Sequence, residues 1–283
     1  MSENNVKIYA FADEADCMID GQIIAMKRNN LNGLEIRNVD GENIADISIE
    51  KAKEVKKKLD DNQLCVWSLG SPIGKIGIKD DFAPHLDKFK HCLEIANELE
   101  CENIRLFSFY IPEDDNPEIY KDEVFERLSV FVDTAKSSGI NLCHENEKGI
   151  FGDTADRCLE IHKNFPEIKG IFDPANYIQC DENTLLCWSK LREYIYYLHV
   201  KDAIFGGEVV PAAEGDGNVR FIINDFVSHG GTALTIEPHL TIFDGLKSLE
   251  REGETSAVAQ FRYPDANTAF DVACNAVNKF LKR

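Results

Sequence analysis

Apolar runs of five to seven residues recur along the chain with amphipathic stretches between them, the alternation expected of strands and helices. The runs are KIYAF (7–11), GLEIR (33–37), LCVWSL (64–69), NIRLFSF (103–109), INLCHE (140–145), KGIFD (169–173), YYLHVK (196–201) and ALTIE (233–237). Between them, SIEKAKEVKKKLDD places Ser48 to cap a helix whose exposed face carries Lys and Asp, and HLDKFKHCLEIANELE spaces its apolar residues for a helix. Helical crossovers of this kind join parallel strands. Eight units in 283 residues average about 35 residues each, which suits βα units of ~30 or more and leaves no length for a second domain. A single (β/α)8 TIM barrel domain over residues 1–283 is therefore predicted. An open doubly wound sheet is the alternative, but FADEADC follows the first strand where that fold needs a glycine-rich phosphate turn.

Composition narrows the class. The chain is 43% hydrophobic and 29% charged, without an apolar run near the ~20 residues that span a bilayer, so no membrane partner is expected. The start, MSENNVKIYAF, lacks the basic segment and long apolar stretch of an export signal. Nine cysteines without a CxxC pair fit reduced thiols in the cytoplasm. A formal net charge of −19 repels polyphosphate and argues against nucleic acid as a partner.

In a parallel barrel, chemistry gathers at the C-terminal ends of the strands. The last four runs carry polar groups at their ends: Glu145, Asp173 and Glu237 close three of them and His199 sits near the end of YYLHVK, the four separated by 28, 26 and 38 residues, about one βα unit each. Side chains alternate across a strand, and one parity turns all four inward. Three carboxylates at one mouth repel unless a positive charge sits among them, which points to one divalent cation. Three oxygen donors and one nitrogen suit Mn²⁺, Mg²⁺, Co²⁺ or Zn²⁺ alike.

At these residues the sequence resembles the sugar phosphate isomerase and epimerase group of the xylose isomerase-like TIM barrels, a superfamily that includes ketose 3-epimerases, inosose dehydratases and a DNA repair endonuclease. The resemblance rests on HENEKGIFGD (144–153), FDPAN (172–176), HVKD (199–202) and IEPHL (236–240). FADEAD (11–16), LEIRNVDG (34–41), SPIGK (71–75) and IRLFSFY (104–110) support it, so it covers nearly the whole chain. It implies that Glu145, Asp173, His199 and Glu237 are metal ligands and that Glu145 and Glu237 also act as catalytic acid and base. Ketose 3-epimerases usually carry a histidine three residues after the metal aspartate, where this chain has Asn176. They also usually carry an arginine shortly after the metal histidine, where it reads HVKDAIFGG. Both departures set it apart from that subgroup.

The expected activity is metal-dependent isomerisation or epimerisation of a sugar or sugar phosphate, by proton abstraction through an ene-diolate. A dehydratase of an inosose-like polyol and a metal-dependent phosphoester hydrolase are the alternatives, with a sugar-binding protein as a non-catalytic one. Expected substrate contacts are Glu35, Arg37, Lys75, Arg105, Glu147, Asn176, Lys201 and His239, with Ser71 and Ser108 beside them. For the arginines and Lys75, ion pairs with Asp13, Glu14 or Glu35 are the competing expectation. The loop GGEVVPAAEGDGNV (206–219) either closes over the mouth or merely connects, and Phe11, Trp67, Phe107 and Phe109 are expected in the core. A homodimer is compatible with loops at a barrel mouth.

Overall fold

A computed structural model describes residues 6–243 and 263–281. All eight expected runs form strands: β1 (Lys7–Ala10), β2 (Gly33–Ile36), β3 (Cys65–Leu69), β4 (Asn103–Leu106), β5 (Asn141–Glu145), β6 (Ile168–Phe172), β7 (Ile195–Val200) and β8 (Ala233–Ile236). Each pairs in parallel with its neighbours in sequence, and β8 pairs with β1, closing the (β/α)8 TIM barrel. The ladders stop short of several expected ends, leaving Arg37, Asp173, Lys201 and Glu237 just beyond them. The run 103–109 is shortened most. Beyond Leu106 the Phe107 N–H turns to the Ile73 carbonyl (2.8 Å), and Phe109 takes a positive φ of 65°, which no strand accommodates.

The helices are α1 (Ile19–Arg28), α2 (Ile49–Asp61), α3 (Phe82–Glu98), α4 (Lys121–Ala135), α5 (Ala155–Asn164), α6 (Pro174–Gln179), α7 (Thr184–Leu191), α8 (Val219–Ser228) and α9 (Ala266–Leu281). Ser48 caps α2 as expected, its Oγ accepting the Lys51 N–H at 3.1 Å. Ala52, Val55 and Leu59 bury one stripe of that helix, while Lys56 and Lys57 pair with Asp60 and Asp61 on its outer face. Among the described residues, no helix is long and apolar enough to cross a membrane.

Inside the barrel the filling changes with height. At the N-terminal end Tyr9, Cys143, Ile171, Tyr197 and Ala233 pack with Trp67 and Tyr196, the Tyr9 and Trp67 rings stacked at 4.8 Å. Toward the C-terminal end the same inward parity presents charged groups instead. Apolar filling closes the floor, which leaves the polar groups gathered at the C-terminal end, where barrel enzymes carry their chemistry. Ladder irregularities at Leu34/Glu35 and Gly170/Ile171 shift the register of β2 against β3 and of β6 against β7.

Two buried histidines tie this core to pH. His85 accepts the Gly74 N–H at 2.7 Å, and burial lowers its pKa to about 4. Burial likewise takes His162 to about 4, against the opposing contact with the Ile168 carbonyl. Histidine in an unfolded chain titrates near 6.5, so between these values the unfolded state binds more protons. Their contribution is present above pH ~6.5 and is lost as pH falls through about 4. Urea midpoints are expected to drop between pH 7 and pH 5, with a shallower drop in His85→Gln. An equal slope in that variant removes His85 from the account.

Candidate metal centre

Glu145 ends β5, Asp173 follows β6, His199 lies one residue before the end of β7, and Glu237 follows β8. The segment Asp-Pro-Ala-Asn after β6 is a helix start: Asp173 Oδ1 accepts the Asn176 N–H (2.9 Å) and Pro174 takes the first helical position. Asn146 clamps the same corner, accepting the Asp173 N–H at 2.9 Å and donating to the Asp173 carbonyl at 3.0 Å. Capping thus uses one carboxylate oxygen. The other, Oδ2, is buried and accepts no hydrogen bond, although Lys201 Nζ lies 2.9 Å away.

One atom each from Glu145, Asp173, His199 and Glu237 lies within 4.8 Å of the others. His199 Nδ1 is 2.9 Å from Glu145 Oε1 and 3.5 Å from Glu237 Oε2. All four side chains are buried. Asp173 Oδ2 has the Lys201 ammonium as an ion-pair partner but accepts no hydrogen bond, and a cation among the four groups would take up that free capacity. The donor set therefore fits a divalent ion, and Mn²⁺, Mg²⁺, Co²⁺ and Zn²⁺ all suit it.

The charge balance differs from the sequence expectation, in which an ion alone relieved the crowding. Three basic side chains already share the space. Arg37 reaches Asp13 (2.9 Å), Glu14 (3.0 Å) and Glu237 (3.3 Å); Arg105 reaches Glu145 (3.1 Å); Lys201 bridges Asp173 (2.9 Å) and Glu237 (3.1 Å). Even so, the buried carboxylates of Asp13, Glu14, Glu35, Glu145, Asp173 and Glu237 outnumber these cations two to one. Burial pulls the His199 imidazole down, but Glu145 and Glu35 on either side outweigh it and raise its pKa to about 10. Burial, with Glu237 and Glu145 nearby, pushes Asp173 up to about 7 against the pull of Lys201. For Glu145, burial is outweighed by His199 and Arg105, and for Glu237 by Lys201, His239, His199 and Arg37, so both stay below the usual carboxylate range.

The other expected contacts divide by height. Arg37 sits in the ion pairs weighed as its alternative, with Asp13 and Glu14, and Arg105 also donates to the carbonyls of Gly70 (3.0 Å) and Ser71 (3.4 Å). Asn176 Nδ2 donates to the Asn146 carbonyl (2.9 Å) and lies 3.4 Å from Glu145 Oε1. Lys75 and Glu147 pair at 2.7 Å on the rim, with Lys75 over the Phe107 ring. His239 takes a φ of 46° and is clasped by Glu14, which accepts its N–H (2.6 Å) and lies 3.0 Å from Nδ1. Glu35 corrects its expectation: it is fully enclosed on the side of His199 away from the ligands, 3.0 Å from Nε2, and does not face the mouth. Ser71 donates to the Arg105 carbonyl and Ser108 serves His144 and Gly152, so both are structural supports. Phe11, Phe107 and Phe109 are buried as expected, and Phe11 packs against Arg37 and His199; Trp67 is partly buried at the floor.

Asn146 and Asp202 escaped the sequence reading. Asp202 gathers the 206–219 loop, its carboxylate accepting N–H groups from Ala203, Ala213, Gly215 and Gly217 at 2.9–3.1 Å. A Cβ at Gly215 or Gly217 would meet that carboxylate at 2.5 or 2.6 Å, so the glycines in EGDG were the available signal. Val210, Pro211 and Ala212 of the gathered loop line a small cavity with Lys201 and Glu237, which places the loop at the edge of the site.

Residues 24–254 match the xylose isomerase-like TIM barrel family. Sequence comparison with curated proteins gives no match. Among solved structures, the probable 3-DHS dehydratase AsbF of Bacillus anthracis is 15% identical, with 96% of this chain and 98% of that one covered and a TM-score of 0.73. An IOLI protein with a bound zinc atom is 12% identical over 98% of both chains, at 0.73. The 3-keto-D-glucoside 4-epimerase YcjR of E. coli is 14% identical over 98% of this chain and 100% of that one, at 0.69. Identities this low show a shared fold. Matched over most of its length and closed into the same eight-stranded barrel, the chain belongs to the xylose isomerase-like TIM barrel family.

Proposed function

We propose that the chain is a divalent-metal-dependent isomerase or epimerase of a sugar or sugar phosphate, moving a proton on a carbon beside a carbonyl. The observation that carries this is the arc of convergent donor groups at the ends of β5 to β8, with Glu145 and Glu237 at its two ends and Asp173 and His199 between. These four residues would hold the ion, which when bound would stabilise negative charge developing on the substrate's oxygens. The surroundings of Glu145 and Glu237 favour the ionised form that a proton acceptor needs, and the one that donates must enter the reaction carrying a proton. The carboxylate takes a proton from the carbon, leaving an ene-diolate, and the protonated partner gives its own proton to the opposite face, which inverts that centre and exchanges the protonation states of the two glutamates. Return to the neighbouring carbon interconverts aldose and ketose. Arg37 and Lys201 fix Glu237, and Arg105 and Asn176 fix Glu145, so neither needs to reorganise during transfer.

A multi-metal hydrolase has less support. A second group of potential ligands, Glu14, Glu237 and His239, also converges within 4.8 Å, but it offers three residues against four and shares Glu237 with the first, so two ions would compete for that carboxylate. A dehydratase would use the same ion and base, so product analysis separates it. Protein loaded with each metal in turn is incubated in deuterated water with ketoses, ketose phosphates and inososes, and followed by NMR. Deuterium beside the carbonyl is the expected result. Net loss of water would replace the assignment with a dehydratase, and phosphoester cleavage without exchange would defeat it.

A further inference from the structure

We propose that Glu35 is the positioning residue of this centre: from β2 it holds the far nitrogen of His199 and so presents Nδ1 to the ligand cluster. This rests on the reading of Glu145, Asp173, His199 and Glu237 as metal ligands. The two ring nitrogens face different carboxylates. Nδ1 lies 2.9 Å from Glu145 and 3.5 Å from Glu237, whereas Nε2 lies 3.0 Å from Glu35 Oε2. Both nitrogens face carboxylates, but only Nδ1 faces the ligand cluster; when an ion takes the place of the Nδ1 proton, Glu35, as an acceptor, keeps the remaining proton on Nε2. With Nε2 protonated, the lone pair of Nδ1 is the one a metal can use.

Glu35 is itself held. The Tyr197 hydroxyl donates to Glu35 Oε1 at 2.9 Å and lies 3.1 Å from Ser68 Oγ. The register shift in β2 sets Glu35 directly opposite Ser68 on β3. The imidazole is boxed by rings, with the Phe11 centroid 5.2 Å and the Tyr197 centroid 5.6 Å from it. Enclosing a carboxylate completely in a barrel is expensive unless it is paired, and here the pairing partner is a side chain whose orientation the centre depends on. A plain internal ion pair would be indifferent to which imidazole nitrogen it met; a positioning residue is not.

Glu35→Gln preserves volume but offers an amide N–H as readily as an acceptor, so the alternative tautomer becomes accessible. Two measurements test it: Co²⁺ affinity by chelator competition, and the His199 tautomer by ¹⁵N–¹H NMR of the Zn²⁺-loaded protein. The parent is expected to show Nε2 protonated and Nδ1 bound. The variant is expected to lose about 10- to 100-fold in affinity, with the Nε2–H signal lost or shifted. Parent-like affinity and tautomer in the variant overturn the proposal and leave the metal reading standing; a parent that binds neither ion overturns both. Should Glu35→Gln fail to fold, Tyr197→Phe removes only the hydroxyl that steadies Glu35. A severalfold loss of affinity with a shifted Nε2–H signal is then expected, and no change overturns the proposal.

Discussion

Glu237→Gln is expected to slow deuterium exchange into substrate by about a thousandfold, within the 10² to 10⁴ range of a positioned acid or base. Glutamine fills the same space but cannot take up the proton. The barrel should survive the change, because each cation paired with Glu237 keeps another carboxylate: Arg37 retains Asp13 and Glu14, and Lys201 retains Asp173. The loss should therefore appear in turnover and in weaker metal retention, with little change in thermal midpoint. Glu147→Gln, on the rim and paired with Lys75, serves as the control and should cost less than about tenfold, as expected for a group outside proton transfer. Exchange rates of the two variants, measured at saturating metal, decide the matter. Turnover by Glu237→Gln equal to that of Glu147→Gln would remove Glu237 from the chemistry.

Metal uptake should expel protons and weaken steeply in acid. Without an ion, the carboxylates beside His199 outweigh its burial, raise its pKa to about 10 and keep it protonated at neutral pH, and burial raises Asp173 to about 7, so that it too holds a proton more readily than an ordinary aspartate. Both must be deprotonated to act as ligands. Loading at pH 7 should therefore release about one proton from the imidazole and a further fraction from the carboxyl. Between pH 8 and pH 6 the apparent affinity should fall about a thousandfold, most of it through the imidazole, which costs tenfold per pH unit throughout that interval. The direction follows from mass action: lower pH fills the sites that the ion must empty. Chelator competition at pH 6, 7 and 8, with calorimetry in buffers of different ionisation enthalpy to count protons, measures both quantities. Affinity independent of pH would mean that His199 is not a ligand.

Much of this was legible along the chain because parallel barrel strands and their crossover helices impose local periods. The apolar runs with Glu145, Asp173, His199 and Glu237 at or near their ends carried both the strand parity and the side of the barrel, and those residues do converge. The pair Glu35 and Arg37 shows the limit. Two residues apart on one strand, they share a face, and both read as substrate contacts. One lies against the far side of His199, and the other above it, joining Asp13, Glu14 and Glu237. Parity distinguishes inside from outside but says nothing about depth. Asn146 and Asp202 were hidden for a related reason: their partners are backbone groups at Asp173 and across a loop, which no spacing rule marks.

The amino-acid sequence by itself determined the eight strands, their parallel order and the four inward groups, because side-chain alternation and strand-to-helix alternation are properties of neighbouring residues. Only the tertiary structure decided which charges meet: that Lys201 lies between Asp173 and Glu237, that Arg37 lies beside Glu14, and that His199 stands between Glu145 and Glu35. Those pairings depend on strand stagger, on register shifts at Glu35 and Ile171, and on closure of β8 against β1, which set the height of each side chain across the barrel.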